Sequence, residues 1–428
     1  MNVHAHRRID GIDFWRGFAL LSIFVNHAPD NIFAHLTHRN FGFSDAAEAF
    51  VFLSGVSVAL AYGRRFIDGQ VARAVRAMYR RMLTLYSVQI IVSFLGIAIL
   101  AAAAILLDED DLIEDEDRDA VLSRPLHGLV GILGLTHQLG FFNILPPYIA
   151  FLLVAPALLA LARIDRRLML AASAALYLAA RLFSLQLPTW PLPGGWFFNP
   201  LAWQLLFAIG LFVGLDAKGG GPSCDRRLFV LSLVVLAASL FVLTDGFTLQ
   251  HGLWDGIRGA LNHDKTSLGL ARLVHFLALA YVVHHCGVTR LLRKTPVFAP
   301  LCLIGRHSLM VFATGAVLGV VGEVILATEV PPAPAAFLIV VGGIAVQYFA
   351  ARVLAARAAA IRERAAATAV ASTLALHSAT PSRLPRVTAG GDLVVSDAGS
   401  IVPSAPPLME HEARCGSKEP APMSRPTT

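Results

Sequence analysis

Arg16 and His27 share one apolar run, Phe14 to Ala28, with Asp13 just before it. In a helix the eleven residues between them span roughly 16 Å, about half the hydrocarbon thickness of a bilayer, so a guanidinium and an imidazole address two depths of one path. A guanidinium grips phosphate or carboxylate through paired hydrogen bonds, and an imidazole exchanges a proton near neutral pH. Asp45 and Glu48, three apart at the start of the next apolar run, bring carboxylates to the level of His27, where either could orient the ring as its base-orienting partner. The same residues have a plainer reading. Asp13 and Arg16 then pair to anchor a helix end, His27 snorkels at an interface, and Asp45 and Glu48 are first-turn acids.

Later apolar runs carry Arg181, then Arg272 with His275, then Arg306-His307-Ser308 after Gly305. An ionisable group inside a membrane span costs about 2.5–3.5 kcal/mol on insertion scales, so each needs a reason. The arginines fall in two tiers, Arg16 and Arg306 toward one end and Arg181 and Arg272 toward the other, which predicts two anion-binding regions. No Ser-His-Asp spacing, glycine-rich phosphate loop or HExxH occurs, which leaves serine-hydrolase, nucleotide-hydrolysing and zinc-protease chemistry without support. Cys224, Cys286, Cys302 and Cys415 lack metal-ligand or CxxC spacing and read as free thiols, and no metal site is expected. The run Asp108–Asp119 holds nine acidic residues in twelve positions without calcium-loop spacing and reads as a solvated loop.

These residues need helices in a membrane to hold them. Of 428 residues, 56% are apolar and 15% charged, with mean hydropathy +0.64, which excludes an ordinary soluble enzyme. The expected fold is all-α, a polytopic membrane bundle of about ten transmembrane helices near 12–28, 46–62, 83–107, 145–162, 167–183, 201–215, 228–243, 268–285, 299–326 and 333–354. Segment 126–142, broken by glycines, reads as a re-entrant or surface helix, and Arg64 to Met82 as an amphipathic helix on the inner leaflet. With the N-terminus inside, seventeen loop Lys and Arg fall inside and five outside, so both termini are expected in the cytoplasm. The net charge of +6 then marks cytoplasmic loops, and no nucleic-acid partner is expected. Residues 1–360 form the expected membrane domain, and 361–428, rich in Ala, Ser, Thr and Pro, a disordered cytoplasmic tail.

The spacing Arg8-x4-Asp13-x2-Arg16-Gly17 with His27 at the far end of the same helix resembles the first-helix signature of the membrane acyltransferase-3 superfamily. Together with Phe43-Ser44-Asp45-Ala46-Ala47-Glu48-Ala49-Phe50-Val51-Phe52-Leu53-Ser54-Gly55 it resembles, more narrowly, the OpgC family, membrane proteins associated with succinylation of osmoregulated periplasmic glucans. Ile144–Tyr148, Phe198–Gln204, Arg272–Phe276 and Gly305–Leu309 extend the similarity to about residue 310; Pro147 departs from the expected apolar residue.

The resemblance implies an O-acyltransferase of the bacterial inner membrane that uses cytoplasmic acyl-CoA, here succinyl-CoA, as donor substrate and a periplasmic glucan hydroxyl as acceptor, with no bound cofactor. His27, Asp45 and Glu48 are then the expected catalytic residues. Asp13, Arg16, Arg181, Trp203, Gln204, Arg272, His275, Arg306 and His307 are the expected substrate-binding residues, with donor phosphates at Arg16 and Arg306 and the succinyl carboxylate at Arg272 or Arg181. Two other classes stay open on the residues alone. One is a transporter of a glycan or anionic metabolite, although no internal repeat is evident. The other is a glycan ligase using Trp190, Trp196, His251 and Trp254 in the loops at 183–200 and 244–267.

Overall fold

The computed structural model describes residues 10–28, 31–109, 112, 118, 121, 123–216, 223–243, 264–328 and 330–378. Among these every regular element is helical, apart from one isolated bridge between Pro188 and Gly195. The principal helices are α1 (Asp10–His27), α2 (Ala46–Ile67, with a π-helical turn at Ala59–Gly63), α3 (Val71–Leu107), α4 (Pro125–Leu133), α5 (Leu145–Ile164) and α6 (Arg166–Leu182). They continue as α7 (Pro200–Asp216), α8 (Arg226–Leu243), α9 (Leu270–His285), α10 (Phe298–Arg306), α11 (Ser308–Leu326) and α12 (Pro332–Ser378). Six of them, α2, α3, α5, α8, α11 and α12, are long and apolar enough to cross a membrane, and α7 and α9 are shorter apolar helices. The protein is an all-helical membrane protein.

Each expected stretch coincides with a helix, and three differ in extent. The third begins at Val71 rather than Leu83, because the arginine-rich segment from Val71 onward continues into the apolar run as one 37-residue helix. At about 55 Å it exceeds a hydrocarbon core, and its first turns therefore project beyond it. The ninth is two helices, broken at His307, where the backbone leaves helical geometry. The last continues to Ser378, so 361–378 is helical and not irregular. The compact unit that holds the bundle comprises Met1–Ala366; the second unit is Ala367–Thr428, of which only the final turns of α12 are described. The remainder of the expected tail, Arg7, Arg8, most of the acidic run, His251, Trp254 and Cys415 lie outside the described residues. Arg118, the basic residue within that run, is buried and pairs with Glu323 of α11 at 2.9 Å.

Between apolar helices in lipid, close backbone approach replaces hydrophobic drive. A Cβ on Gly55 of α2 would lie 2.1 Å from the carbonyl oxygen of Phe207, and one on Gly210 of α7 would lie 2.1 Å from that of Phe52. The two glycines let α2 and α7 touch backbone to backbone, which fixes the helix that starts with Asp45 against the helix that carries Trp203. The core below them is large and dry, with Phe151, Phe207, Leu206 and Trp203 fully buried.

Candidate active site at the His27 end of the bundle

At the C-terminal end of α1 the His27 ring turns back on its own helix, and Nδ1 lies 2.6 Å from the Ile23 carbonyl oxygen. A carbonyl only accepts, so Nδ1 carries the proton that it donates, and proton exchange by the ring falls to Nε2. The orienting group on Nδ1 is therefore a backbone carbonyl and not Asp45 or Glu48. His27 lines a cavity of about 70 Å³ together with Asn26, Arg39, Asp45, Asn143, Phe198 and Lys265. It also borders a narrower, apolar cavity between α1, α11 and α12, lined by Leu20, Phe24, Gly315, Ala316, Gly319 and Gln347. The apolar cavity reaches from His27 back to Leu20, seven residues or about 10 Å along the helix toward Arg16.

The loop between α1 and α2 roofs the first cavity and is held by its own short polar side chains. Asn31 donates to the carbonyls of Val25 and Ala28, and Asn40 to those of Ala34 and Thr37. The Thr37 hydroxyl lies 2.7 Å from Asn26 Oδ1 and 2.8 Å from the Ala34 carbonyl oxygen, which ties the loop to the end of α1 beside the cavity.

Asp45 and Glu48 close α2 as a capping box: Asp45 accepts from the Ala47 N–H and Glu48 from the Asp45 N–H, both at 2.8 Å. They also form a buried ion cluster. Arg272 of α9 donates through Nε to Glu48 at 2.7 Å and reaches Asp45 at 3.2 Å, and Lys265 Nζ lies 2.6 Å from Asp45. Glu48 is completely buried, so Arg272 is its counter-ion. Arg272 thus faces two carboxylates of this chain and is not among the residues that line the cavity.

Several other residues expected to touch substrate hold the scaffold instead. The indole Nε1 of Trp203 donates to the carbonyls of Lys265 and Thr266, Arg181 donates to that of Ser267, Tyr177 to that of Leu268, and Asn199 N–H to that of Thr266. All five contacts fix the turn that presents Lys265. Within that turn, burial opposes ionisation of Asp264, yet hydrogen bonds from Ser267 and Thr266 hold its carboxyl below the usual range. Gln204 donates to Ser173 and ties α7 to α6. His275 accepts the Ser44 N–H at Nδ1, and a Cβ on Gly42 would lie 1.9 Å from its Nε2, so the ring is walled in by the segment leading to α2.

At the other end of α1, Arg306 pairs with Asp13 at 3.2 Å and with Asp10 at 2.9 Å. Arg16 donates to Ser308 Oγ at 2.8 Å and to Ser57 Oγ at 3.5 Å. His307 takes the N-cap position of α11. The helices touch here through glycine: a Cβ on Gly17 would lie 2.0 Å from the Leu301 carbonyl oxygen, and one on Gly305 would lie 1.8 Å from that of Asp13. Among the described residues no cluster of His, Cys, Asp and Glu could hold a metal ion.

A family sequence model described as OpgC protein matches residues 7–359. The chain belongs to the OpgC family. No curated protein and no solved structure matches it. The OpgC match contains every residue of both ends of the bundle and stops within α12. Within this OpgC protein the cavity cations are Arg39 and Lys265, which the sequence presents only as loop charges; Asn26 and Asn143 were likewise missed. A usable signal existed for Asn26, which directly precedes His27. None existed for Lys265, whose position depends on Trp203 and Arg181, at least sixty residues away in the chain.

Proposed function

We propose that this OpgC protein is an inner-membrane O-acyltransferase that moves a succinyl group from cytoplasmic succinyl-CoA to a hydroxyl of a periplasmic glucan. Family membership supports a membrane protein that modifies glucans. The observation that carries the chemistry is the setting of His27: its ring is oriented through Nδ1 by the Ile23 carbonyl, and the residue lines both cavities. In this reading α1 to α12 supply ten crossings with both termini in the cytoplasm, and the His27 end faces the periplasm.

The acceptor hydroxyl enters the polar cavity and gives its proton to Nε2 as its oxygen attacks the thioester carbonyl. The Asn26 amide, which lines the same cavity, donates to the oxygen on which charge develops. Collapse breaks the C–S bond, and the leaving thiolate takes the proton back from the imidazolium, giving ester and free thiol. The donor arm follows the apolar cavity outward from the level of Arg16, whose guanidinium serves the phosphates. Asp45 and Glu48 act through Lys265 and Arg272 on the shape of the cavity rather than on the ring.

Proteoliposomes loaded with labelled succinyl-CoA and supplied with glucan on the His27 side test this reading. Label is expected in the glucan, with one free thiol released per ester formed. A transporter or a glycan ligase would leave the thioester intact, and that result would overturn the proposal.

A further inference from the structure

The polar cavity holds more positive charge than its own carboxylates neutralise. Around it stand three cations, Arg39, Lys265 and Arg272, and two anions, Asp45 and Glu48. Glu48 and Arg272 form the buried pair, and Asp45 takes Lys265. The nearby Asp264 carboxylate is turned onto the N–H groups of its own loop. Among the described residues that line the cavity, Lys265 and Asp45 offset each other, and Arg39 is the cation without an acidic side chain against it. It is exposed at the cavity wall and is carried by the loop that Asn31, Thr37 and Asn40 fix to the end of α1. The anchor of that loop is Asn26, the residue next to His27, so the loop that carries Arg39 is tied to the helix end that carries the imidazole.

From this geometry we infer that Arg39 is the residue that selects a donor whose acyl group ends in a carboxylate. With the donor arm in the apolar cavity and the thioester carbonyl at His27, the far end of the acyl chain points into the polar cavity, which offers Arg39, Asn143 and Lys265. A carboxylate loses water on entry and needs a planar, doubly donating partner, which a guanidinium supplies and a lysine already paired with Asp45 does not. The cation that reads the donor is then Arg39, from the loop, in place of Arg272 or Arg181 from the helices.

The inference rests on the acyl-transfer reading, and the experiment separates the two. Purified full-length wild type, Arg39→Gln and Arg39→Lys are reconstituted with equimolar succinyl-CoA and acetyl-CoA, and the ratio of the two esters formed is measured. Arg39→Gln is expected to lower the succinyl-to-acetyl ratio about tenfold or more, the scale of one charge-assisted hydrogen bond, and Arg39→Lys to recover part of it. An unchanged ratio overturns the inference while acyl transfer stands. The same proteins are melted in detergent with free succinate or butyrate. Succinate is expected to raise the melting temperature of wild type and not of Arg39→Gln. If wild type transfers neither acyl group, the acyl-transfer reading fails, and the melting arm alone decides: stabilisation by succinate that survives in Arg39→Gln overturns the role of Arg39, and its loss upholds Arg39 as a carboxylate receptor.

Discussion

The two ends of α1 are built from the same residue types and do different things. At the Arg16 end, Arg306 faces Asp10 and Asp13, Arg16 faces two serine hydroxyls, and Gly17 and Gly305 bring α1 and α10 into backbone contact. At the His27 end, Arg272 faces Glu48 and Asp45 in the same way, but beside that pair lie a polar cavity, an oriented imidazole and a further cation. An arginine in a bundle is therefore not in itself a substrate group. It becomes one where a cavity adjoins it and its carboxylates are already matched by other cations. In the proposed reading Arg39 and Lys265, which line the cavity, serve the substrate, while Arg272 and Arg306 pair with carboxylates of neighbouring helices.

The largest expected effect lies on the His27 side. His27→Ala should lower transfer by about 10²-fold or more, the usual span of general-base catalysis, with normal insertion and melting. Retention of over about a tenth of wild-type transfer would return His27 to the role of an interfacial anchor and erase the difference between the two ends.

Next comes the ion cluster. Arg272→Gln leaves the wholly buried Glu48 without its counter-ion and should cost about 3–5 kcal/mol, seen as loss of folded protein in detergent. Arg272→Gln combined with Glu48→Gln should recover most of that loss, since the pair is coupled. A stable single variant that fails only with succinyl-CoA would make Arg272 a donor-reading residue after all.

The glycine contact at the opposite end is expected to be smaller in energy. Gly305→Ala drives a methyl into the Asp13 carbonyl and should cost about 1–3 kcal/mol, whereas Gly342→Ala enters open space and serves as the matched neutral change. Equal melting of the two would show that α1 and α10 are not locked at that point.

Smallest of all, Arg306→Gln removes a half-exposed ion pair with Asp10 and one with the buried Asp13, worth about 1 kcal/mol together after screening at the exposed guanidinium, and should leave the donor KM within about twofold of wild type. A KM rise of about tenfold would show that Arg306 grips donor phosphate beside Arg16.

Much of the architecture was legible because the membrane imposes one rule on sequence: a long apolar run must become a helix, since no solvent there satisfies the backbone. The ten apolar runs, the short helix at Pro125–Leu133 and the free thiols of Cys224, Cys286 and Cys302 follow from composition and spacing alone. Helix extents were less legible where polar residues continue a helix beyond the apolar core, as in the first turns of α3 and in α12 as far as Ser378, because hydropathy reports the solvent and not the hydrogen-bond ladder.

The chain by itself determined that His27 stands at the end of a helix, that Asp45 and Glu48 begin the next, and that Arg16 lies about half a bilayer away. These are consequences of short-range geometry, 1.5 Å per residue and capping within four positions. Only the tertiary structure decided which charges are matched. Arg272 meets Glu48 across 224 residues of chain, and Lys265 reaches Asp45 because Trp203, Tyr177 and Arg181 hold its turn. A carboxylate or a guanidinium looks the same in sequence whether its partner is another side chain or a substrate. Coulomb attraction falls with distance in space and is indifferent to distance along the chain, so the division between strut and receptor is made by packing.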